Sequence, residues 1–176
     1  SGLSCPVGFK NATDGDVQVA VDAIGAALRP HHFLSVTKEG CSAIFETTGN
    51  EDCHIILRGG KSPNYDMFSV DDACALLKKA GLPERLKIDA SHANSRKIPA
   101  RQADVAADIA TQIRRGNSAI SGIMLESFLE EGSQSVKPGE PLVYGQSITD
   151  PCMDWSTTEQ VLDDLAAAVS QRRLMA

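Results

Sequence analysis

Five ionisable residues stand where an apolar segment gives way to a polar turn: Lys10, Arg58, His92, Glu126 and Asp150. His92 follows the short apolar run 86–90 and lies between Ser91 and Ala93-Asn94-Ser95, residues too small to cover its ring. An imidazole at the C-terminal lip of a strand can ligate a metal or carry a proton. On that stretch alone a surface histidine fits as well. Arg58 ends the run 53–57, and Gly59-Gly60 after it would let the backbone approach a ligand. Glu126 ends the run 119–125, and Asp150 lies in the long loop beyond it. The chemistry divides in two. Lys10 and Arg58 suit a phosphate, the guanidinium binding two oxygens at once. His92, Glu126 and Asp150 form a nitrogen and oxygen set for a divalent cation such as Mn²⁺, Fe²⁺, Co²⁺ or Zn²⁺. A metal beside a phosphate pocket polarises a carbonyl or activates water. Singly, Lys10, Arg58 and Glu126 read as rim salt bridges. All five together at strand ends read as a site.

The elements that must position these residues alternate. Residues 2–9 read as a strand with an internal Pro6, so the chain begins inside a structural element. The apolar spacing of Val17, Val21, Ile24 and Leu28 predicts a helix over 14–28, capped by Thr13 or Asp14 and stopped by Pro30. Residues 32–37 and 41–46 form a hairpin around Lys38-Glu39-Gly40. The wholly apolar run 53–57 is of parallel-strand type. Ser69 opens a helix over 70–80 that Gly81 and Pro83 close. After strand 86–90, a helix over 97–115 ends in Arg114-Arg115, which suits its dipole. Strand 119–125 leads into a Gly- and Pro-rich loop over 128–155. Ser156-Thr-Thr-Glu159 then forms a capping box for a last helix to 172. Apart from the inserted hairpin 32–46, this is four consecutive βα units and a parallel sheet. No G-x-G-x-x-G opens a helix, which favours a barrel over a dinucleotide fold. A whole barrel takes about 250 residues. The expected fold class is therefore α/β: the C-terminal half of a (βα)8 TIM barrel, with residues 1–176 as a single partial domain. Two open apolar sheet edges would drive it to associate.

Composition narrows the partners. The 176 residues are 42% hydrophobic and 23% charged, ordinary for a globular domain with a real core. A net charge of −6 with scattered basic residues excludes nucleic acid and anionic membrane as expected partners. No apolar run approaches the ~20 residues of a membrane span, and residues 1–10 carry no secretory signal. Five cysteines without a CxxC pair argue against a zinc knuckle or redox motif and for reduced thiols in a cytoplasmic protein, Cys5 and Cys53 among them as core groups. The His31-His32 pair reads as exposed, His54 as a hydrogen-bonded core histidine and Trp155 as a plug at the barrel end.

Five stretches, in order, carry a resemblance: Gly2-Leu-Ser-Cys-Pro-Val-Gly-Phe-Lys-Asn11, His54-Ile-Ile-Leu-Arg-Gly-Gly60, Asp89-Ala-Ser-His-Ala-Asn-Ser95, Met124-Leu-Glu-Ser127 and Gln146-Ser-Ile-Thr-Asp150. Together they resemble the class I, short microbial 3-deoxy-D-arabino-heptulosonate-7-phosphate (DAHP) synthases, and the resemblance runs over essentially the whole chain. It implies a (βα)8 barrel that condenses phosphoenolpyruvate with erythrose 4-phosphate in the first step of the shikimate pathway. It also implies that Lys10 and Arg58 hold the phosphoenolpyruvate phosphate and its charge. His92, Glu126 and Asp150 would be three of four metal ligands, with Lys10, His92 and Asp150 the catalytic group. The metal would polarise the sugar aldehyde for attack by the enol carbon. Ser4, Phe33 and Ser35 match an aromatic amino acid effector pocket, and a homo-oligomer with the hairpin in its interface is expected. Ala90 stands where a bulkier residue is usual, a packing change beside the metal site. The family's fourth ligand, a cysteine on the first barrel strand, and its other phosphate-binding cations have no counterpart in this sequence. The chain alone is therefore expected to be inactive. Two other readings share these residues: a non-catalytic, self-associating half barrel that keeps the effector pocket, and a related phosphoenolpyruvate-dependent sugar-phosphate synthase.

Overall fold

The computed structural model describes residues 1–175. In chain order the elements are β1 (Val7–Lys10), α1 (Gln18–Ala27), β2 (His31–Val36), β3 (Ser42–Thr47), β4 (Cys53–Leu57), α2 (Met67–Lys79), β5 (Leu86–Asp89), α3 (Arg101–Arg114), β6 (Ile120–Met124), β7 (Glu130–Ser133), β8 (Gln146–Ser147) and α4 (Trp155–Arg173). Four of the strands form one sheet in the order β1-β4-β5-β6, and every pairing in it is parallel. Helices follow β1, β4 and β5 directly, and α4 follows β6 after β7 and β8, so the alternation read from the sequence goes with a parallel sheet.

Strand residues alternate between faces, and the register sorts them. Ile55, Leu57, Leu86 and Ile88 are at most 1% exposed and pack against Val21 and Ile24 of α1, Val70 and Leu77 of α2, and Val105 and Ile109 of α3. The opposite face carries Gly8 beside His54, Lys10 beside Ile56, and Ile56 beside Lys87. It continues with Lys87 beside Gly122 and Asp89 beside Met124. This face carries Lys10, His54, Lys87 and Asp89 among Ile56, Met124 and two glycines. His54 belongs to it: half-buried rather than in the helix-packed core, it is held below its ordinary pKa by burial first and then by the Lys87 charge.

Element boundaries depart from expectation where a turn or a different cap takes over. Residues 2–6 lie outside the first strand. Helix α1 starts at Gln18 without a side-chain cap, because Asp14 and Asp16 accept local bonds from Asp16 N and Gln18 N instead. Helix α2 is capped by Asp66, whose carboxylate takes the N–H groups of Phe68 and Ser69. Asp154, not Ser156, caps α4 through Thr157 N at 2.7 Å. Helix α3 begins only at Arg101, since His92, Arg96 and Lys97 adopt left-handed backbone that no helix can include.

The hairpin β2–β3 is antiparallel from His31↔Thr47 to Val36↔Ser42. The region 128–155 holds more order than a bare loop, because β7 pairs with β8 and Gln134 bridges Val143 and Gln146. Cys5 is exposed and is no core thiol, whereas Cys53, half-buried, packs against the core and Cys74 is buried within it. Trp155 is 49% exposed at the start of α4 and plugs nothing.

Candidate active site and metal centre

The C-terminal ends of the four parallel strands are tied together by side-chain amides. Asn11, just past β1, donates to Gly59 O at 2.9 Å and accepts from Arg58 N at 2.8 Å. Asn64 accepts from Gly59 N and donates its own N–H to Asn94. Asn94 donates to Asp89 O and Leu57 O. Gln102 of α3 clamps the Glu126 backbone in both directions, at 3.0 and 2.8 Å. Asn11, Asn94 and Gln102 are buried, so the strand ends are fixed in a low-dielectric setting where such bonds are strong. Gly59 and Gly60 serve this packing. A Cβ at Gly59 would lie 2.8 Å from Asn94 N, and one at Gly60 would lie 2.3 Å from Gly15 Cα. The glycines thus make room for neighbouring backbone.

On this rim His92, Glu126 and Asp150 each offer one ligand atom, and the three lie within 4.8 Å of one another. His92 Nδ1 is 3.8 Å from Glu126 Oε1. Burial, together with the negative charges of Asp150 and Asp89, raises the Glu126 pKa against the opposing pull of His92. Crowded carboxylates beside an imidazole are relieved by a divalent cation, and one nitrogen with two oxygens suits Mn²⁺, Fe²⁺, Co²⁺ or Zn²⁺. The residues therefore fit a metal.

Arg58 lines the same cavity of about 210 Å³, together with His92, Lys97, Gln102, Glu126 and Asp150. Lys10 does not line it. Its ammonium instead bonds Asp89 Oδ2 at 2.7 Å. The structure thus brings four of the five rim residues to one cavity and links the fifth to them through a carboxylate.

Sequence reasoning missed that carboxylate. Asp89 is fully buried and also accepts from Ser91 N and Ser91 Oγ, at 2.9 and 2.5 Å, and lies 3.0 Å from His92 Nδ1. Burial pushes its pKa up, but the bonds from Lys10 and Ser91 outweigh that and hold it below the ordinary value. An acid closing an otherwise buried strand was the available signal. Lys97 was missed too. The strained turn aims it into the cavity, with φ of 53° at Arg96 and 58° at Lys97; such backbone costs about 1–3 kcal/mol per residue and concentrates at functional sites.

The positions matched to an effector lie elsewhere. Phe33 and Ser35 share one face of β2, with Phe33 stacked on Phe45 at 6.0 Å between ring centroids. Ser4 is exposed in the segment that Asn50 pins through Leu3 O and Cys5 O. Among the described residues no hydrogen bond joins Ser4 to the other two.

Comparison with known proteins bears on the whole constellation. The chain is 60% identical over 173 residues to the Phe-sensitive phospho-2-dehydro-3-deoxyheptonate aldolase of Escherichia coli, a match covering 98% of this chain and 49% of that protein. It is 58% identical over 172 residues to the Trp-sensitive enzyme of Enterobacter agglomerans, with the same two coverages. The solved structure of the phospho-2-dehydro-3-deoxyheptonate aldolase from Francisella tularensis superposes with a TM-score of 0.92 at 52% identity, over 97% of this chain and 50% of that one. The chain thus spans about half the length of the relatives it matches. With residues 1–163 matching the model of the DAHP synthetase I family as well, the chain belongs to that family.

Proposed function

We propose that these four βα units form half of a (βα)8 barrel and supply the metal- and phosphate-binding rim of a DAHP synthase, which joins phosphoenolpyruvate to erythrose 4-phosphate and releases phosphate. The observation that carries this reading is the convergence of His92, Glu126, Asp150 and Arg58 on one cavity at the C-terminal ends of parallel strands, where barrel enzymes hold their chemistry. Arg58 presents a planar fork to phosphate oxygens, its backbone locked by Asn11. Lys10, held by Asp89, would offer a second, localised positive charge to the same substrate. His92, the half-buried Glu126 and the exposed Asp150 would hold the cation. A bound divalent cation would act as a Lewis acid on the aldehyde oxygen.

The relatives' names mention sensitivity to Phe or Trp, and an aromatic effector is proposed here at Ser4, Phe33 and Ser35. The hairpin exposes Leu34, Val36 and Ile44, an apolar surface of the kind that oligomers bury; a homo-oligomer is part of the proposal. No helix is long and apolar enough to cross a membrane, and a cytoplasmic location is proposed for a metabolic enzyme of this kind. Because the described residues offer a group of three metal ligands and the chain spans about half the length of its relatives, the isolated chain is proposed to be inactive.

Calorimetric titration with Mn²⁺ and phosphoenolpyruvate tests the site. The expected result is Mn²⁺ binding that His92→Ala or Glu126→Gln weakens at least tenfold, and phosphoenolpyruvate binding that Arg58→Ala removes. Mn²⁺ binding indifferent to both metal-site variants would refute the assignment.

A further inference from the structure

We infer that Asp89 is a positioning residue that sets Lys10 and His92 in a fixed relation, so that one buried carboxylate places both the substrate-facing cation and the metal-facing imidazole. The inference rests on the site reading given above and deepens it. Lys10 ends β1 and Asp89 ends β5, with β4 between them in the sheet. The lysine therefore reaches across a whole strand to make its 2.7 Å bond. His92 reaches the same oxygen, Asp89 Oδ2, from the turn three residues on.

The direction of each proton follows from the donors available. An ammonium only donates, so Lys10 donates a hydrogen bond to Asp89 Oδ2. Ser91 gives its single hydroxyl proton to Asp89 Oδ1 at 2.5 Å, and its backbone N–H goes to the same oxygen. The Ser91 oxygen, 2.7 Å from His92 Nδ1, then has only lone pairs left for that nitrogen. Asp89 Oδ2, 3.0 Å from it, is likewise an acceptor. Both neighbours require the proton on Nδ1, which leaves the Nε2 lone pair for the metal. This is the arrangement in which a carboxylate orients a ligating imidazole. The left-handed backbone of His92, with φ of 50°, turns the ring back over its own strand end and makes the contact possible.

Asp89→Asn puts an amide N–H among these donors and breaks the pattern at one point. In full chain labelled with ¹⁵N, the wild-type His92 ring, when neutral, is expected as the Nδ1–H tautomer, and Asp89→Asn is expected to lose that preference. Mn²⁺ affinity should fall 10–100-fold in Asp89→Asn. Phosphoenolpyruvate affinity should fall as well, but only through Lys10: in a Lys10→Met background, Asp89→Asn should weaken Mn²⁺ and leave phosphoenolpyruvate binding where Lys10→Met had put it. A general packing defect would weaken both ligands in either background. An Nε2–H tautomer in the wild type overturns the inference without any variant, and so does unchanged Mn²⁺ affinity in Asp89→Asn. A chain that binds Mn²⁺ but no phosphoenolpyruvate would sink the site reading, while the tautomer and Mn²⁺ results would still decide the role of Asp89.

Discussion

The two faces of the parallel sheet obey different rules. On the helix side, Ile55, Leu57, Leu86 and Ile88 join apolar side chains of three helices in one buried cluster. On the other side the same strands carry Lys10, His54, Lys87 and Asp89, with Gly8 and Gly122 between them. Burial of apolar area stabilises the first face at about 25 cal/mol per Å². The second face gains little from burial, because charged groups lose stability when taken from water unless they are paired. Lys10 and Asp89 are paired there, and Lys87 has no acidic partner among the described residues. Apolar burial is thus concentrated on one face and charge on the other.

That contrast can be broken at graded cost. Ile88→Ala, on the helix side and fully buried, should destabilise by about 2–5 kcal/mol through lost transfer energy and a cavity, read by urea denaturation. Lys10→Met, on the open side, should cost about 1–3 kcal/mol in the same assay, since it takes from buried Asp89 its ammonium partner. Asp66→Ala removes the cap of α2 and should cost about 1 kcal/mol. This last loss should depend on pH. Burial raises the Asp66 pKa, but bonds from the Ser69 side chain and the Ser69 and Phe68 N–H groups lower it more, to below its ordinary 3.8. A group with a depressed folded pKa stabilises fully above the unfolded value and loses that contribution as pH falls through the folded one. The gap between wild type and Asp66→Ala should therefore be complete above pH 3.8 and close in more acidic solution. Lys87→Met should sit within about 0.5 kcal/mol of wild type, as an unpaired, half-exposed cation contributes little; a loss as large as that of Lys10→Met would erase the distinction between paired and unpaired charge on this face.

Sequence reading reached the helix side easily, because periodicity reports which residues are apolar and burial follows. It also located Arg58, His92 and Glu126, since a charge directly after an apolar run marks a strand end. It did not reach Asp89. The pairing of Asp89 with Lys10 depends on β1 lying two strands away from β5, which spacing along the chain does not encode. The buried amides Asn11, Asn94 and Gln102 stayed invisible for the same reason, since each has a partner 24 to 48 residues distant. Caps were misplaced by two or three residues because each helix starts earlier than its serine, at the carboxylate of Asp66 or Asp154, which accepts the first-turn N–H groups. The hairpin was plain from its turn chemistry. The pairing of β7 with β8 was hidden by Gly, Pro and Gln residues whose role is set by contacts across the loop.

The central claim is that this chain carries the rim of a synthase active site but not the whole of it. Phosphate release from phosphoenolpyruvate and erythrose 4-phosphate with Mn²⁺ tests it most directly, measured on the 176-residue chain alone and on the chain mixed with a segment supplying the remaining barrel strands. The account predicts no turnover from the chain alone and turnover on complementation that His92→Ala abolishes. Turnover by the chain alone, or complemented turnover indifferent to His92, would contradict it.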